Sequence, residues 1–238
     1  MRLHCFGVSG PFPESGGATS GYLLEAGGAL LQLDFGSGVL ARLTAKADPS
    51  ALDAILLTHW HFDHTSDLLP LIYRLESVGK TLPVFAPADD ASVIRRVVSD
   101  AACFHLTDVA PGDVLTLNGA RIAVMPARHP VPTVGYRVEA ERAVFGYTGD
   151  TNTLPGLTEA YRGCGLLLAD ALFPESEWTE NRPHLSAALA AELAAEAGVG
   201  RLLLTHLNPS YSPALLLKEA RTRFPASELA AAGAMFTL

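Results

Sequence analysis

Several features of membrane or exported proteins are missing from this sequence. No apolar run reaches the roughly 18 residues that a membrane-spanning helix needs, although 49% of the residues are hydrophobic. The first residues, Met1-Arg-Leu-His-Cys, are typical of a strand and not of a signal peptide. We therefore expect a cytoplasmic protein with no membrane partner.

Cysteine is scarce as well. Cys5, Cys103 and Cys164 are far apart in the chain, and no two of them form a CxxC pair. This spacing suggests neither a disulfide framework nor a thiolate zinc site. We expect all three to be small, buried apolar groups.

Positive charge is also in short supply. The chain has 17 Lys and Arg residues against 25 Asp and Glu residues, which gives a formal net charge of -8. Such a balance opposes a long electrostatic footprint on DNA or RNA. A local basic patch or a pair of metal ions can still receive one phosphate, so small substrates are favoured over polymers.

No linker rich in Pro, Gly or Ser divides the 238 residues, and we interpret residues 1–238 as one domain. Apolar runs and turn residues predict strands near 2–8, 22–25, 29–34, 55–58, 114–117, 121–125, 135–139, 143–147, 166–170 and 201–205. Helices are predicted at 68–78, 88–101, 186–197 and 213–224. The pattern is that of an α/β protein with mixed sheets.

The stretch His59-Trp-His-Phe-Asp-His64 follows the apolar run 55–58 directly. Imidazole and carboxylate are ligands for zinc, manganese and iron. Side chains alternate along a strand end, so His59 and His61 can point the same way, while the turn brings Asp63 and His64 to a neighbouring point. Two metal ions can be served in this way. The alternative, a polar turn after a buried strand, does not account for four ligand-type residues in six positions.

Three later residues, His129, Asp150 and His206, lie in predicted loops or at strand ends. A single His or Asp at such a place is more often a turn residue or a cap than a metal ligand. These three are candidate ligands only because the cluster at 59–64 is also present. The segment "LLLTHL" at 202–207 repeats the "ILLTHW" at 55–60. Either rough symmetry brings both Thr-His ends to one seam between two sheets, or two Leu-rich strands are alike by chance.

The motif at 59–64, followed by His129, Gly149-Asp150-Thr151 and His206, resembles the metallo-β-lactamase-fold hydrolases over essentially the whole chain. The resemblance implies an αββα four-layer sandwich of two mixed β-sheets packed face to face, with a dinuclear site at one edge. Two divalent metal ions are implied, zinc by default, with manganese or iron as alternatives. By the family pattern, His59, His61 and His129 hold the first metal, Asp63, His64 and His206 hold the second, and Asp150 bridges them.

His184, in "RPHLS", resembles the histidine that opens a helix in the RNase Z-like phosphodiesterases, where it stabilises the scissile phosphate and can act as an acid. Asp170 stands where that branch is expected to carry a glutamate that orients this histidine. Glu175 and Glu177 are nearby substitutes for it, or else solvated surface charges. The long tRNA-gripping insertion of RNase Z is missing between His129 and Asp150, so tRNA 3′ processing is not expected.

Two further features resemble the same branch. The Gly-rich segment 7–24 resembles its opening loop, in which the hydroxyl of Thr19 or Ser20 can receive a phosphate oxygen; a flexible surface hairpin is the alternative. Asp34 resembles a family carboxylate that holds the metal loop in place.

The resemblance implies a metal-dependent phosphodiesterase for a small or cyclic nucleotide or a short oligonucleotide end. A hydroxide that bridges the two metals is the expected nucleophile, with Asp63 and His184 as catalytic residues. Two alternatives stay open: a lactone or thioester hydrolase on the same site, and a non-catalytic metal-binding protein. A homodimer is also possible, with Leu68, Leu71 and Tyr73 as apolar residues for an interface or for the core.

Overall fold

The computed structural model describes residues 1–238, with fourteen strands and seven helices. The strands are β1 (Arg2–Gly7), β2 (Gly21–Ala26), β3 (Ala29–Leu33), β4 (Ala54–Leu56), β5 (Leu82–Ala86), β6 (Phe104–Asp108), β7 (Val114–Leu117), β8 (Ala120–Pro126), β9 (Val134–Ala140), β10 (Ala143–Tyr147), β11 (Leu166–Asp170), β12 (Arg201–Thr205), β13 (Ser227–Leu229) and β14 (Met235–Thr237). The helices are α1 (Val39–Lys46), α2 (Phe62–Thr65), α3 (Leu68–Val78), α4 (Val93–Asp100), α5 (Leu157–Ala160), α6 (Ala187–Glu196) and α7 (Pro213–Arg223). None of them has the length and apolarity of a membrane-spanning helix.

The strands form two mixed sheets of seven strands each. The first has the order β14-β1-β2-β3-β4-β5-β6, and the second has the order β13-β12-β11-β10-β9-β8-β7. In the first sheet β3 to β6 are parallel and the remaining pairs are antiparallel. The second sheet follows the same plan, with β10 to β13 parallel. Parallel strands place their carboxyl ends at one edge, where ligand sites commonly form.

The apolar side chains form three separate layers. The central layer lies between the sheets and contains the buried rings of Tyr22, Tyr136 and Tyr147. A second layer joins α1, α3 and α4 to the outer face of the first sheet, and a third joins α5, α6 and α7 to the outer face of the second. This arrangement confirms the predicted αββα four-layer sandwich.

The central strands are covered on both faces, which explains their continuous apolar sequences. Every residue of β11 is buried, and so are four of the five residues of β12. The following helices begin where the sequence supplies caps: the hydroxyls of Ser186 and Ser212 accept hydrogen bonds from the backbone N–H groups of Leu189 and Leu215.

Some predicted elements differ from the observed ones. The helix predicted at 88–101 begins only at Val93, because the Ser92 hydroxyl accepts a hydrogen bond from Arg95 N and thereby caps it. Leu68 and Leu71 belong to the core beneath α3, whereas Tyr73 is 76% exposed. Of the three residues considered for an interface, only Tyr73 is therefore available on the surface. The three cysteines are buried, as predicted.

Candidate metal centre

The predicted ligands converge at the edge where the two sheets meet. His59 follows β4, His129 lies between β8 and β9, Asp150 follows β10, and His206 follows β12. The sheets are joined at this point, since Val134 N donates a hydrogen bond of 2.9 Å to Thr58 O. The parallel half of each sheet begins at β3 and at β10, respectively. The first Thr-His pair follows β4, the next strand after β3, whereas the second follows β12, two strands after β10. The two repeated segments therefore reach the site from different positions in their sheets.

Three imidazoles form the first cluster. Nδ1 of His61 lies 3.0 Å from Nε2 of His59 and 3.2 Å from Nε2 of His129. Oδ2 of Asp150 lies 3.6 Å from Nε2 of His59. His59 and Asp150 are buried, while His61 is partly exposed and gives the cluster an open side.

The second cluster combines two carboxylates with two imidazoles. Oδ2 of Asp63 lies 3.1 Å from Nε2 of His206, and Oδ1 of Asp150 lies 3.3 Å from Nε2 of His64. Asp150 also places Oδ2 at 3.4 Å from Nε2 of His206. Asp150 therefore contacts both clusters, which is the position that the family pattern gives to a bridging ligand.

The outward nitrogens of these histidines are held by other groups. Nδ1 of His129 lies 3.1 Å from Pro183 O, and Nδ1 of His59 lies 3.0 Å from the Thr58 hydroxyl. The Pro183 carbonyl can only accept, and the Thr58 hydroxyl donates its own proton to Asp34, so both rings carry their proton on Nδ1 and keep an Nε2 lone pair facing the cluster. Burial lowers the pKa of His59 well below its usual value and also lowers the pKa of His129. The first cluster thus presents neutral imidazole lone pairs to one another, an arrangement that a cation stabilises.

In the second cluster, neighbouring carboxylates outweigh burial in setting the pKa of His64. Burial alone would lower the pKa of His64, but Asp150, Asp34 and Asp63 outweigh it and raise that pKa well above the usual value. Nε2 of His64 is buried and makes no aligned hydrogen bond. Each cluster keeps its ligand atoms within 4.8 Å of one another, and the ligands of a tetrahedral zinc ion lie about 3.3 Å apart. The nitrogen and oxygen donors therefore fit a divalent metal ion at each cluster.

Asp34 holds the segment that carries the ligands. Its buried carboxylate accepts hydrogen bonds from Thr58 N at 2.7 Å and from the Tyr147 hydroxyl at 2.7 Å. The same carboxylate lies 2.8 Å from Nδ1 of His64. Because that nitrogen is engaged, Nε2 of His64 is directed to the second cluster. This is the contact expected of a carboxylate that supports a metal ligand.

His184 and Asp170 lie against both clusters. Nδ1 of His184 is 2.8 Å from Oδ2 of Asp170, and both side chains are buried. The His184 ring centroid lies 5.0 Å from that of His129 and 4.9 Å from that of His206. Glu175 and Glu177 do not take this place, because they bind Arg223 and the Tyr211 hydroxyl instead.

Thr19 and Ser20, the residues predicted to contact a phosphate, are covered by the protein. Their exposed fractions are 1% and 0%. The Thr19 hydroxyl accepts a hydrogen bond of 2.8 Å from Ser37 N. Thr19 and Asp63 both lie against Gly36, where an added Cβ atom would be 2.3 Å from Thr19 Oγ1 and 2.0 Å from Asp63 O.

Sequence reasoning missed Gly10. A Cβ atom added there would lie 2.0 Å from Nε2 of His206, so only glycine leaves room for this imidazole. Gly10 N also donates to Leu207 O at 3.1 Å, and His206 has a positive φ of 56°. The Ser-Gly-Pro turn at 9–11 was visible in the sequence, but nothing in it indicated a contact with a residue almost 200 positions away.

Comparisons with known proteins identify the family of the chain. Residues 22–207 match the family model described as the beta-lactamase superfamily domain. The chain is 31% identical to ribonuclease Z of Methanopyrus kandleri, over 99% of this chain and 97% of that protein. It is also 31% identical to the probable metallo-hydrolase YhfI of Bacillus subtilis, over 94% of each chain.

Solved structures give the same result. The crystal structure of YhfI from Bacillus subtilis matches 99% of this chain and 98% of that chain, with a TM-score of 0.92 and 29% identity. The short form of human tRNase Z has a TM-score of 0.79 over 100% of this chain and 99% of its own, at 16% identity, and shows the shared fold alone. The chain therefore belongs to the beta-lactamase superfamily domain family, as a hydrolase of the metallo-β-lactamase fold with ribonuclease Z-like relatives.

Proposed function

We propose that the protein is a metal-dependent phosphodiesterase that cleaves a small phosphodiester, such as a small or cyclic nucleotide or the end of a short oligonucleotide. The observation that carries this proposal is the position of His184, held by Asp170 against both ligand clusters. The two clusters around Asp150 would hold two divalent cations, zinc by default. The name ribonuclease Z, carried by one relative, also supports chemistry at a phosphodiester.

His184 supplies a proton and a positive charge at the reacting phosphate. Because Asp170 engages Nδ1, the free nitrogen of the ring is Nε2, which donates to a phosphoryl oxygen or to the departing alkoxide. The Asp170 carboxylate at Nδ1 also fixes the orientation of the ring, so that Nε2 is the nitrogen available to the substrate.

Asp63 orients the attacking water. Its Oδ2 is 3.1 Å from Nε2 of His206, and Oδ1 makes no hydrogen bond within the protein. The free oxygen is therefore available to accept a hydrogen bond from water. Two divalent cations in the clusters would lower the pKa of that water towards neutrality and neutralise phosphoryl oxygens.

Local positive charge near the site favours an anionic substrate although the chain is acidic overall. The Arg182 guanidinium lies 4.9 Å from the centroid of the Phe173 ring, and that ring lies 6.1 Å from His184. A single phosphodiester can be attracted by one such cation and the metal ions, whereas a long nucleic acid needs an extended basic surface.

The test is hydrolysis of bis(p-nitrophenyl) phosphate by protein reconstituted separately with zinc and with manganese. We expect metal-dependent turnover that falls about a hundredfold or more in His184→Ala and in Asp63→Ala. His105→Ala is the matched control, because His105 is exposed on β6, away from the ligand clusters. Turnover of lactones or thioesters without diester cleavage would instead show an acyl hydrolase, and metal binding without any turnover would indicate a non-catalytic protein.

A further inference from the structure

A cavity of about 320 Å³ opens beside the first ligand cluster. His61 belongs to both, so a ligand can occupy the cavity and the metal centre together. The other walls come from the start of α4 and from the loop after His129. The residues that matter most are Trp60, Phe62, Asp89, Val93 and Val131.

The cavity is mainly apolar and has an aromatic side chain at its rim. Phe62 is 64% exposed although it stands between two predicted metal ligands, His61 and Asp63. Trp60 is only 3% exposed, and its Nε1 donates to Pro87 O at 2.8 Å, which fixes the inner wall. An exposed ring beside a fixed apolar wall is a surface on which a planar group can stack.

One polar group in the cavity has an unused acceptor. Oδ1 of Asp89 accepts a hydrogen bond of 3.1 Å from Ala91 N, and Oδ2 makes none within the protein. Small-molecule sites are commonly apolar cavities with a few polar groups that select the ligand. A carboxylate oxygen selects a hydrogen-bond donor, such as the exocyclic amino group of a nucleobase.

We propose that this cavity binds the base of a nucleoside phosphate, which stacks against Phe62 and donates its exocyclic amino group to Asp89. This inference rests on the proposed function, because it assumes that the phosphate group lies at the metal centre. It specifies the substrate class as a nucleotide whose base is adenine, cytosine or guanine. Val93 and Val131 complete the apolar surface around the base.

Binding measurements test the proposal without requiring turnover. Isothermal titration of the zinc-loaded protein compares adenosine 5′-phosphate with ribose 5-phosphate, which has the same sugar and phosphate but no base. We expect adenosine 5′-phosphate to bind more tightly, and Phe62→Ala to weaken it about fivefold or more. Ribose 5-phosphate affinity should stay unchanged. Tyr73→Ala is the matched aromatic control, since Tyr73 is 76% exposed and lies outside the cavity.

A second pair of variants guards against local unfolding at Phe62. Val93→Trp fills the cavity and should weaken adenosine 5′-phosphate alone, whereas Val97→Trp, one turn further along α4, should change neither ligand. Asp89→Ala, which removes both acceptor oxygens, should abolish the preference for adenosine 5′-phosphate over purine riboside 5′-phosphate, which lacks the amino group.

Equal binding of adenosine 5′-phosphate and ribose 5-phosphate to the wild type would overturn the inference even if diesters are cleaved. So would a Phe62→Ala protein that loses a dimer in sedimentation but keeps its nucleotide affinity, because the apolar rim would then be an interface. Conversely, base-dependent binding in a protein that cleaves no diester would leave the cavity assignment in place and remove the proposed function.

Discussion

The Asp170 carboxylate lies 2.8 Å from Nδ1 of His184, although the side chain is shorter than the glutamate expected at that position. Asp170 is the last residue of β11, and its carboxylate also accepts hydrogen bonds from Thr151 N at 3.0 Å and from Leu172 N at 3.2 Å. These backbone donors fix the carboxylate where the imidazole can reach it. Asp170 therefore makes the contact with His184 that was expected of a glutamate.

Asp170→Asn should lower kcat for diester hydrolysis by about 10- to 100-fold, because His184 loses the carboxylate that holds its ring through Nδ1. KM should change little when the proteins are compared at equal metal content, which must be matched because Oδ1 of Asp170 also lies 3.7 Å from Nδ1 of His206. Steady-state kinetics and metal analysis of the purified variant check this.

A double-mutant cycle separates positioning from general damage to the site. If Asp170 acts through His184, the Asp170→Asn/His184→Ala protein should be no slower than His184→Ala alone. Additive losses in the double variant would contradict that connection.

Gly10→Ala should disturb His206, because the new methyl group would lie 2.0 Å from Nε2. We expect weaker metal binding at the second cluster and a loss of activity of about tenfold or more. The metal dissociation constants measured by competition with a chromophoric chelator check this. Gly165→Ala is the control, since its added Cβ would make only an ordinary contact of 3.5 Å with Val144 O; equal effects of the two substitutions would refute the assignment.

Asp34→Ala should reduce the free energy of unfolding by about 3 kcal/mol, since the buried Thr58 N and Tyr147 hydroxyl lose their acceptor. Urea unfolding in the presence of a chelator measures this effect without a contribution from bound metal. Asp100→Ala, at the exposed end of α4, should change stability by no more than about 0.5 kcal/mol. An equally stable Asp34→Ala protein would show that the network does not hold the ligand segment.

Removal of metal should lower the thermal unfolding temperature. The clusters place buried carboxylates and imidazoles together. A metal ion that binds only the folded state, at a free concentration 1,000 times its dissociation constant, adds about 4 kcal/mol to the free energy of unfolding. Differential scanning calorimetry before and after chelation, and again after zinc is restored, checks this. Identical transitions in all three samples would argue that the clusters bind no metal in solution.

Much of the fold could be predicted because its central strands have a strong local signal. The predicted bounds of β10, β11 and β12 match the structure, since strands covered on both faces are continuous apolar runs. The predicted ligands also come together, because their motif places them at strand ends that share one edge.

Other features depend on contacts that the local sequence does not reveal. Strand β5 contains Pro83, and β6 mixes His105 and Thr107 with apolar residues, so neither shows a clear strand pattern. The contact between Gly10 and His206 joins residues that are almost 200 positions apart in the chain. Burial of Thr19 likewise results from the packing of its loop against Ser37, which the local sequence does not reveal.

The metal centre and His184 are tested together by the initial rate of bis(p-nitrophenyl) phosphate hydrolysis by one protein preparation in two states, stripped of metal and reconstituted with zinc. We expect zinc to restore the rate of the wild type, and the rate of His184→Ala to stay low at equal metal content. A reconstituted wild-type protein that cleaves no diester, or a His184→Ala protein as fast as the wild type, would contradict this expectation.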